Sequence, residues 1–114
     1  MTTLKNLKTK TESCKRIKKD LDFYEKEVER EAAKTADMKA KGADPYDLKQ
    51  QENVLAESRM MIPDTRERLE EALNDLNVIL AQLKESGEKV EGSEFDDARS
   101  VVESLKQFFQ PPEV

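Results

Sequence analysis

A chain of 114 residues is one domain's worth of polypeptide, and 39% of it is charged against 36% hydrophobic, with three glycines, four prolines, no tryptophan and no histidine. That balance suits long helices washed by solvent, because a compact core needs more apolar residues than these. Without histidine there is no imidazole acid or base and no His-ligated metal, the lone Cys14 cannot close an internal disulfide and suits a reducing compartment, and no apolar run reaches the ~20 residues that span a bilayer. The opening MTTLKNLKTK also lacks the apolar centre of a secretory signal, so a soluble cytosolic protein is expected.

The net charge of −5 divides unevenly: residues 1–19 carry seven Lys or Arg against Glu12 alone, while residues 20–114 carry a net charge of −11. A basic start with neither interleaved aromatics nor an Arg cluster, followed by an acidic remainder, argues against nucleic-acid binding. The expectation is a solvated helix face partly paired with acidic helices beside it.

A first helix is predicted from about Thr3 to Lys41. Cys14, Ile17, Leu21, Tyr24, Val28, Thr35 and Met38 keep three–four spacing, with Leu7 one heptad before Cys14 and Glu31 as a polar break. Gly42 supplies the stop. In the turn KGADPYD, Asp44 is the expected cap of the next helix, Pro45 its first residue and Asp47 a carboxylate for its dipole. So short a connection makes the two helices antiparallel neighbours, with facing residues whose numbers sum to ~86.

The second helix, about 45–86, carries the organising pattern. Leu48, Leu55, Ile62, Leu69, Leu76 and Leu83 recur every seven residues, and the positions three further on are Gln51, Ser58, Thr65, Ala72 and Ile79. Leu73 and Leu80 widen the stripe in the second half, from a width that suits one partner helix to a width that suits two. Pro63 should bend this helix, since the heptad continues in phase through it; the alternative is a stop at Ile62 and a restart at Pro63. The linker ESGEKVEG reads as a turn, after which Ser93 is the expected cap of a third helix of about 94–109, with Asp96 completing a capping box. Phe95, Ala98, Val102, Leu105 and Phe109 form its apolar face, and Pro111 and Pro112 end it. The predicted fold is all-α: one domain over residues 1–114, an elongated antiparallel three-helix bundle tapering to a two-helix coiled coil.

Chemistry finds little purchase here. The carboxylates sit beside lysines at helical surface spacing, as in EKEVEREAAK, and read as surface pairs rather than an acid–base couple; there is no glycine-rich phosphate loop, Cys-x-x-Cys or calcium loop. Cys14 falls on the seam, where a buried small apolar residue is the expectation. A non-enzyme is indicated, with no cofactor and no metal. The candidate function is therefore binding. Met60 faces away from the partner helix and Met61 flanks the seam, among Glu57, Arg59, Asp64 and Arg66, and Phe23 is expected across from them: an adaptable contact patch at the proline. A basic face of Lys15, Lys18 and Lys19 is the alternative.

The run LAESRMMIPDTRERLEEAL, preceded by YDLKQQENV and by KRIKKDLDFYEKEVEREAAK in the first helix, resembles the tubulin-folding cofactor A (tubulin-specific chaperone A) family. Glu57, Ser58, Arg59, Met60, Met61, Ile62, Pro63 and Asp64 carry that resemblance most specifically. It implies a three-helix bundle and an ATP-independent cytosolic chaperone of the tubulin cytoskeleton, one that captures β-tubulin released by the chaperonin and holds it for later cofactors that assemble the αβ heterodimer. The expected partners are then β-tubulin directly and other tubulin-folding cofactors indirectly, with no nucleic acid and no membrane, and a monomer rather than a homodimer. A coiled-coil scaffold or dimerisation module with no tubulin role is the alternative reading.

Overall fold

The computed structural model describes residues 2–87 and 92–110; positions 88–91 of the linker and 111–114, which include Pro111 and Pro112, lie outside the described residues. Three helices account for nearly all of it: α1 Thr2–Ala40, α2 Pro45–Glu85 and α3 Ser93–Phe109. No strand occurs among the described residues, so the all-α class is as the heptads indicated.

The α1–α2 turn closes with both of its expected devices. Gly42 takes a φ of 71°, and the Ala43 N–H donates to the Met38 carbonyl at 3.0 Å while the Gly42 N–H donates to that of Lys39 at 3.2 Å. This is a Schellman closure, which satisfies the last carbonyls of α1 and needs the left-handed conformation that glycine adopts without strain. On the other side the Asp44 carboxylate accepts from the Tyr46 N–H at 3.1 Å, capping α2 just ahead of Pro45.

The start of α3 corrects the sequence reading. Ser93 is the first helical residue rather than the cap, Gly92 stands in the cap position at φ 119°, and no side-chain cap hydrogen bond forms. The helix begins one residue early because the Gly92 carbonyl already accepts from the Asp96 N–H at 3.0 Å, and the Ser93 hydroxyl meets the Glu94 carboxylate at 3.4 Å instead. Pro63 lies inside α2 without ending it, which removes the stop-and-restart alternative. It brings no N–H to the Arg59 carbonyl one turn back.

By contacts the chain forms two compact units. Unit 1 comprises residues 1–17 and 68–114, hence the first part of α1, the second part of α2 and all of α3. Its core is apolar: Leu7 and Cys14 from α1, Leu69, Ala72, Leu73, Leu76 and Leu83 from α2, and Phe95, Ala98 and Leu105 from α3 are buried. Thr11, buried among them, returns its hydroxyl proton to the Leu7 carbonyl at 2.8 Å. Of the two residues expected to widen the stripe, Leu73 is buried and Leu80 half-buried, so in this unit the α2 face meets more than one neighbour.

Unit 2, residues 18–67, is a helical hairpin of α1 and α2 alone. Gln51 on α2 reaches Glu31 on α1, and Lys39 reaches Glu52; the sequence separation falls from 20 to 13 toward the turn, as it must when two helices run back along each other. Leu21 and Leu55 are its buried apolar residues, whereas Tyr24, Val28, Met38, Leu48 and Ile62 are only half-buried. Thr35, Gln51 and Thr65 fill buried seam positions with polar groups.

Candidate functional site

Among the described residues no cluster of three or more Cys, Asp or Glu is disposed to hold a metal, and no helix is long and apolar enough to cross a membrane. The thiol of Cys14 is fully buried in unit 1, and its pKa is pushed up to about 11, chiefly by burial, with the Asp75 carboxylate adding to the rise and Lys10 opposing it. Burial and the raised pKa both disfavour the thiolate, the form that acts as nucleophile and metal ligand. Surfaces remain.

In unit 2, α2 presents Glu57, Met60, Met61 and Asp64 at positions i, i+3, i+4 and i+7, which is one strip of a helix. All four are exposed, Met60 at 71% and Met61 at 38%. The buried residues of α2 in this unit, Gln51, Leu55 and Thr65, lie on the opposite side, so Met60 points directly away from α1. Arg59 and Arg66, seven residues apart and exposed, form a second strip on the flank of the first. Glu57 and Arg59 have no ion pair among the described residues, leaving their charges available to a partner.

Phe23 does not join this patch. It is 56% exposed and packs edge-on against Tyr24, ring centres 5.7 Å apart, on the side of α1 away from Leu21, Val28 and Thr35. The outward sides of two paired helices face away from each other, so Phe23 and Met60 occupy separate strips. The sequence reading placed Phe23 across from Met60 by level along the hairpin and did not account for direction around the helix.

The alternative basic face is already engaged in part. Lys15 contacts Asp97 at 2.7 Å and Glu12 at 3.7 Å, and its ammonium pKa is raised, foremost by the hydrogen bond to Asp97. Lys18 holds Asp22 at 2.6 Å. Lys19 alone of the three is exposed and without an ion pair among the described residues.

A set of residues that sequence reading passed over lies beside Lys19. Lys19, Phe23, Lys26, Arg30 and Lys34 follow at intervals of four, three, four and four, all exposed, and none of the four cations has an ion pair among the described residues. Summing charge along the sequence hides them, because Asp20, Asp22, Glu25, Glu27 and Glu29 intervene; sorting the same residues by helical face would have found them.

Residues 2–102 match the family model described as Tubulin binding cofactor A. Over 109 residues the chain is 66% identical to tubulin-folding cofactor A of Arabidopsis thaliana, covering 96% of this chain and 96% of that one. Its backbone is similar to the crystal structure of tubulin folding cofactor A from Arabidopsis thaliana, with a TM-score of 0.86 over 94% of this chain and 98% of the other. It is also similar, at 32% identity and a TM-score of 0.75 over 90% and 96% of the two chains, to Rbl2p, described as a β-tubulin binding post-chaperonin cofactor.

Proposed function

The chain belongs to the tubulin binding cofactor A family, and on that premise we propose that it is a tubulin-folding chaperone that captures quasi-native β-tubulin after chaperonin release and stabilises it for assembly of the αβ heterodimer. The observation that carries this reading is the likeness, over nearly the whole of both chains, to a protein described as binding β-tubulin after the chaperonin. The action is binding in the cytosol, by a monomer, with no nucleotide and no bond made or broken. Other tubulin-folding cofactors meet this protein only through the β-tubulin it hands on.

The contact we assign is the α2 strip of unit 2, with Met60 and Met61 as adaptable apolar contacts and Glu57, Arg59, Asp64 and Arg66 as the charged surround. A flexible, polarisable side chain conforms to a surface that is not finally folded. A patch this small, ringed by charge, also binds weakly enough to release, since affinity follows buried anchors rather than total area. Lys15, Lys18 and Lys19 form the competing surface, weakened by the pairing of the first two with Asp97 and Asp22.

The test is capture. Purified protein is mixed with β-tubulin released from chaperonin and run on a native gel or by size exclusion, with the αβ heterodimer as control. A discrete new complex containing β-tubulin is expected; no complex from protein shown helical by circular dichroism overturns the proposal. The double variant Met60→Asp, Arg59→Glu is then expected to lose capture while remaining folded, and reversal of Lys15, Lys18 and Lys19 to leave it intact.

A further inference from the structure

We propose that the outward strip of α1 in unit 2, formed by Lys19, Phe23, Lys26, Arg30 and Lys34, is a docking surface for an acidic protein segment that carries an apolar residue. It is separate from the α2 strip assigned to β-tubulin, and its case rests on different observations.

The first is charge complementarity. The four charged residues that make up the strip, Lys19, Lys26, Arg30 and Lys34, are all basic although the protein as a whole carries −5, with Glu27 and Glu29 standing beside them on its flanks. Unpaired cations concentrated on one face of an acidic protein attract a local anionic partner. The four side chains cover fifteen helical steps, or about 22 Å, the reach of a helical segment of similar length or of a shorter extended one.

The second is the apolar residue in their midst. Phe23 is 56% exposed, and a shallow concavity at the strip is lined by Phe23, Lys26, Glu29, Arg30 and Ala33. A cationic strip meant only for solvent has no use for an exposed ring beside a hollow, whereas an anchor for an apolar side chain does.

Nucleic acid fits less well. The strip holds a single phenylalanine, which is not the ladder of aromatics on which successive bases of a single strand stack. A lipid surface fits less well too, because an interfacial helix needs a broad apolar face, and this strip offers Phe23 and Ala33 alone.

The experiment uses the full chain and a fluorescent glutamate-rich peptide of about fifteen residues with one central leucine, a length matched to the strip at 1.5 Å per residue. Binding is followed by anisotropy across a salt series. Lys26→Glu with Arg30→Glu is expected to weaken binding at least about tenfold, while Lys49→Glu with Lys84→Glu, which lowers net charge equally at exposed positions off the strip, changes it less than about twofold. Replacing the peptide's leucine by serine is expected to weaken binding to the unaltered protein but not to Phe23→Ser. All these positions are exposed, so each variant keeps its helix, as circular dichroism checks. No measurable peptide binding, equal loss in the two charge-reversal pairs, or tighter binding of an oligothymidylate or of phosphatidylserine vesicles at the same strip overturns the proposal. β-Tubulin capture by the Lys26→Glu, Arg30→Glu variant, read in parallel, separates failure of this surface from failure of the chaperone reading.

Discussion

Among the described residues, unit 1 buries ten apolar side chains and a single polar one, Thr11, whereas unit 2 buries only Leu21 and Leu55 beside Thr35, Gln51 and Thr65. The cause is the number of walls. Three helices enclose an apolar stripe from two directions, so Leu73 as well as Leu69 and Leu76 leaves water; two helices cover only a narrow line, and Tyr24, Val28 and Ile62 stay half-exposed. Unit 1 thus holds together by apolar burial, and unit 2 by a thin seam with a polar layer. That layer is specific: the Gln51 amide donates to the Glu31 carboxylate at 2.6 Å, and the Thr35 hydroxyl donates to the Glu31 carbonyl at 2.8 Å. A buried polar pair in a helical seam fixes register at some cost in stability. The lesson is a division of labour, with unit 1 supplying stability and the hairpin supplying outward surface.

The comparison breaks first on core truncation. Leu76→Ala, at a fully buried position of unit 1, is expected to cost about 3–5 kcal/mol, and Leu55→Ala in unit 2 nearer 2, because the thinner seam collapses around the loss or admits water. Urea unfolding of both variants measures it, and equal losses would deny the asymmetry.

Alkaline pH probes unit 1 alone. Burial raises the Cys14 pKa from 9.0 to about 11, so the unfolded chain gives up this proton before the folded one does. The stabilisation is therefore complete below pH 9 and lost as pH rises toward 11, by about 2–3 kcal/mol at 1.36 kcal/mol per unit. Cys14→Ala should remove that part of the pH dependence, and the thiol should resist alkylating reagents at pH 8 in the folded protein. A stability difference between the two proteins that stays flat from pH 8 to 11 would count against the burial account.

The polar layer of unit 2 comes next. Gln51→Ala is expected to destabilise by about 1–2 kcal/mol, because the Glu31 carboxylate loses its donor across the seam. Glu31→Leu with Gln51→Leu should recover that loss or exceed it, at the expense of register, which would appear as self-association growing with concentration. If the double variant is both no more stable than Gln51→Ala and monomeric, the layer is not a register device.

The smallest effect is a gain. Thr65 is 1% exposed and its hydroxyl has no hydrogen-bond partner among the described residues, unlike those of Thr11 and Thr35. Thr65→Val keeps the shape and removes the buried polar atom, and thermal unfolding should show about 1 kcal/mol of added stability.

Much of this was legible beforehand. The heptad from Leu48 to Leu83 named the buried face of α2, including the polar Gln51 and Thr65, because side-chain direction on a helix follows from spacing alone. Gly42 and Asp44 announced the turn for an equally local reason. The cap of α3 was misread at Ser93, since a residue of cap type beside a glycine leaves two candidate starts one position apart. The Gln51–Glu31 contact was not foreseen: Glu31 read as a break in the α1 pattern, and only the facing helix makes it a partner.

The binding surfaces divide in the same way. Exposure of Met60 followed from its place opposite the seam. The separation of Phe23 from that patch, and the pairing of Lys15 with Asp97, needed coordinates. What the sequence by itself determined is local and periodic: helix type, helix ends, and which side of each helix turns inward. What tertiary structure alone decided is which charges were neutralised and which outward strips belong together, because an ion pair such as Lys15–Asp97 joins residues 82 positions apart and no local pattern encodes it.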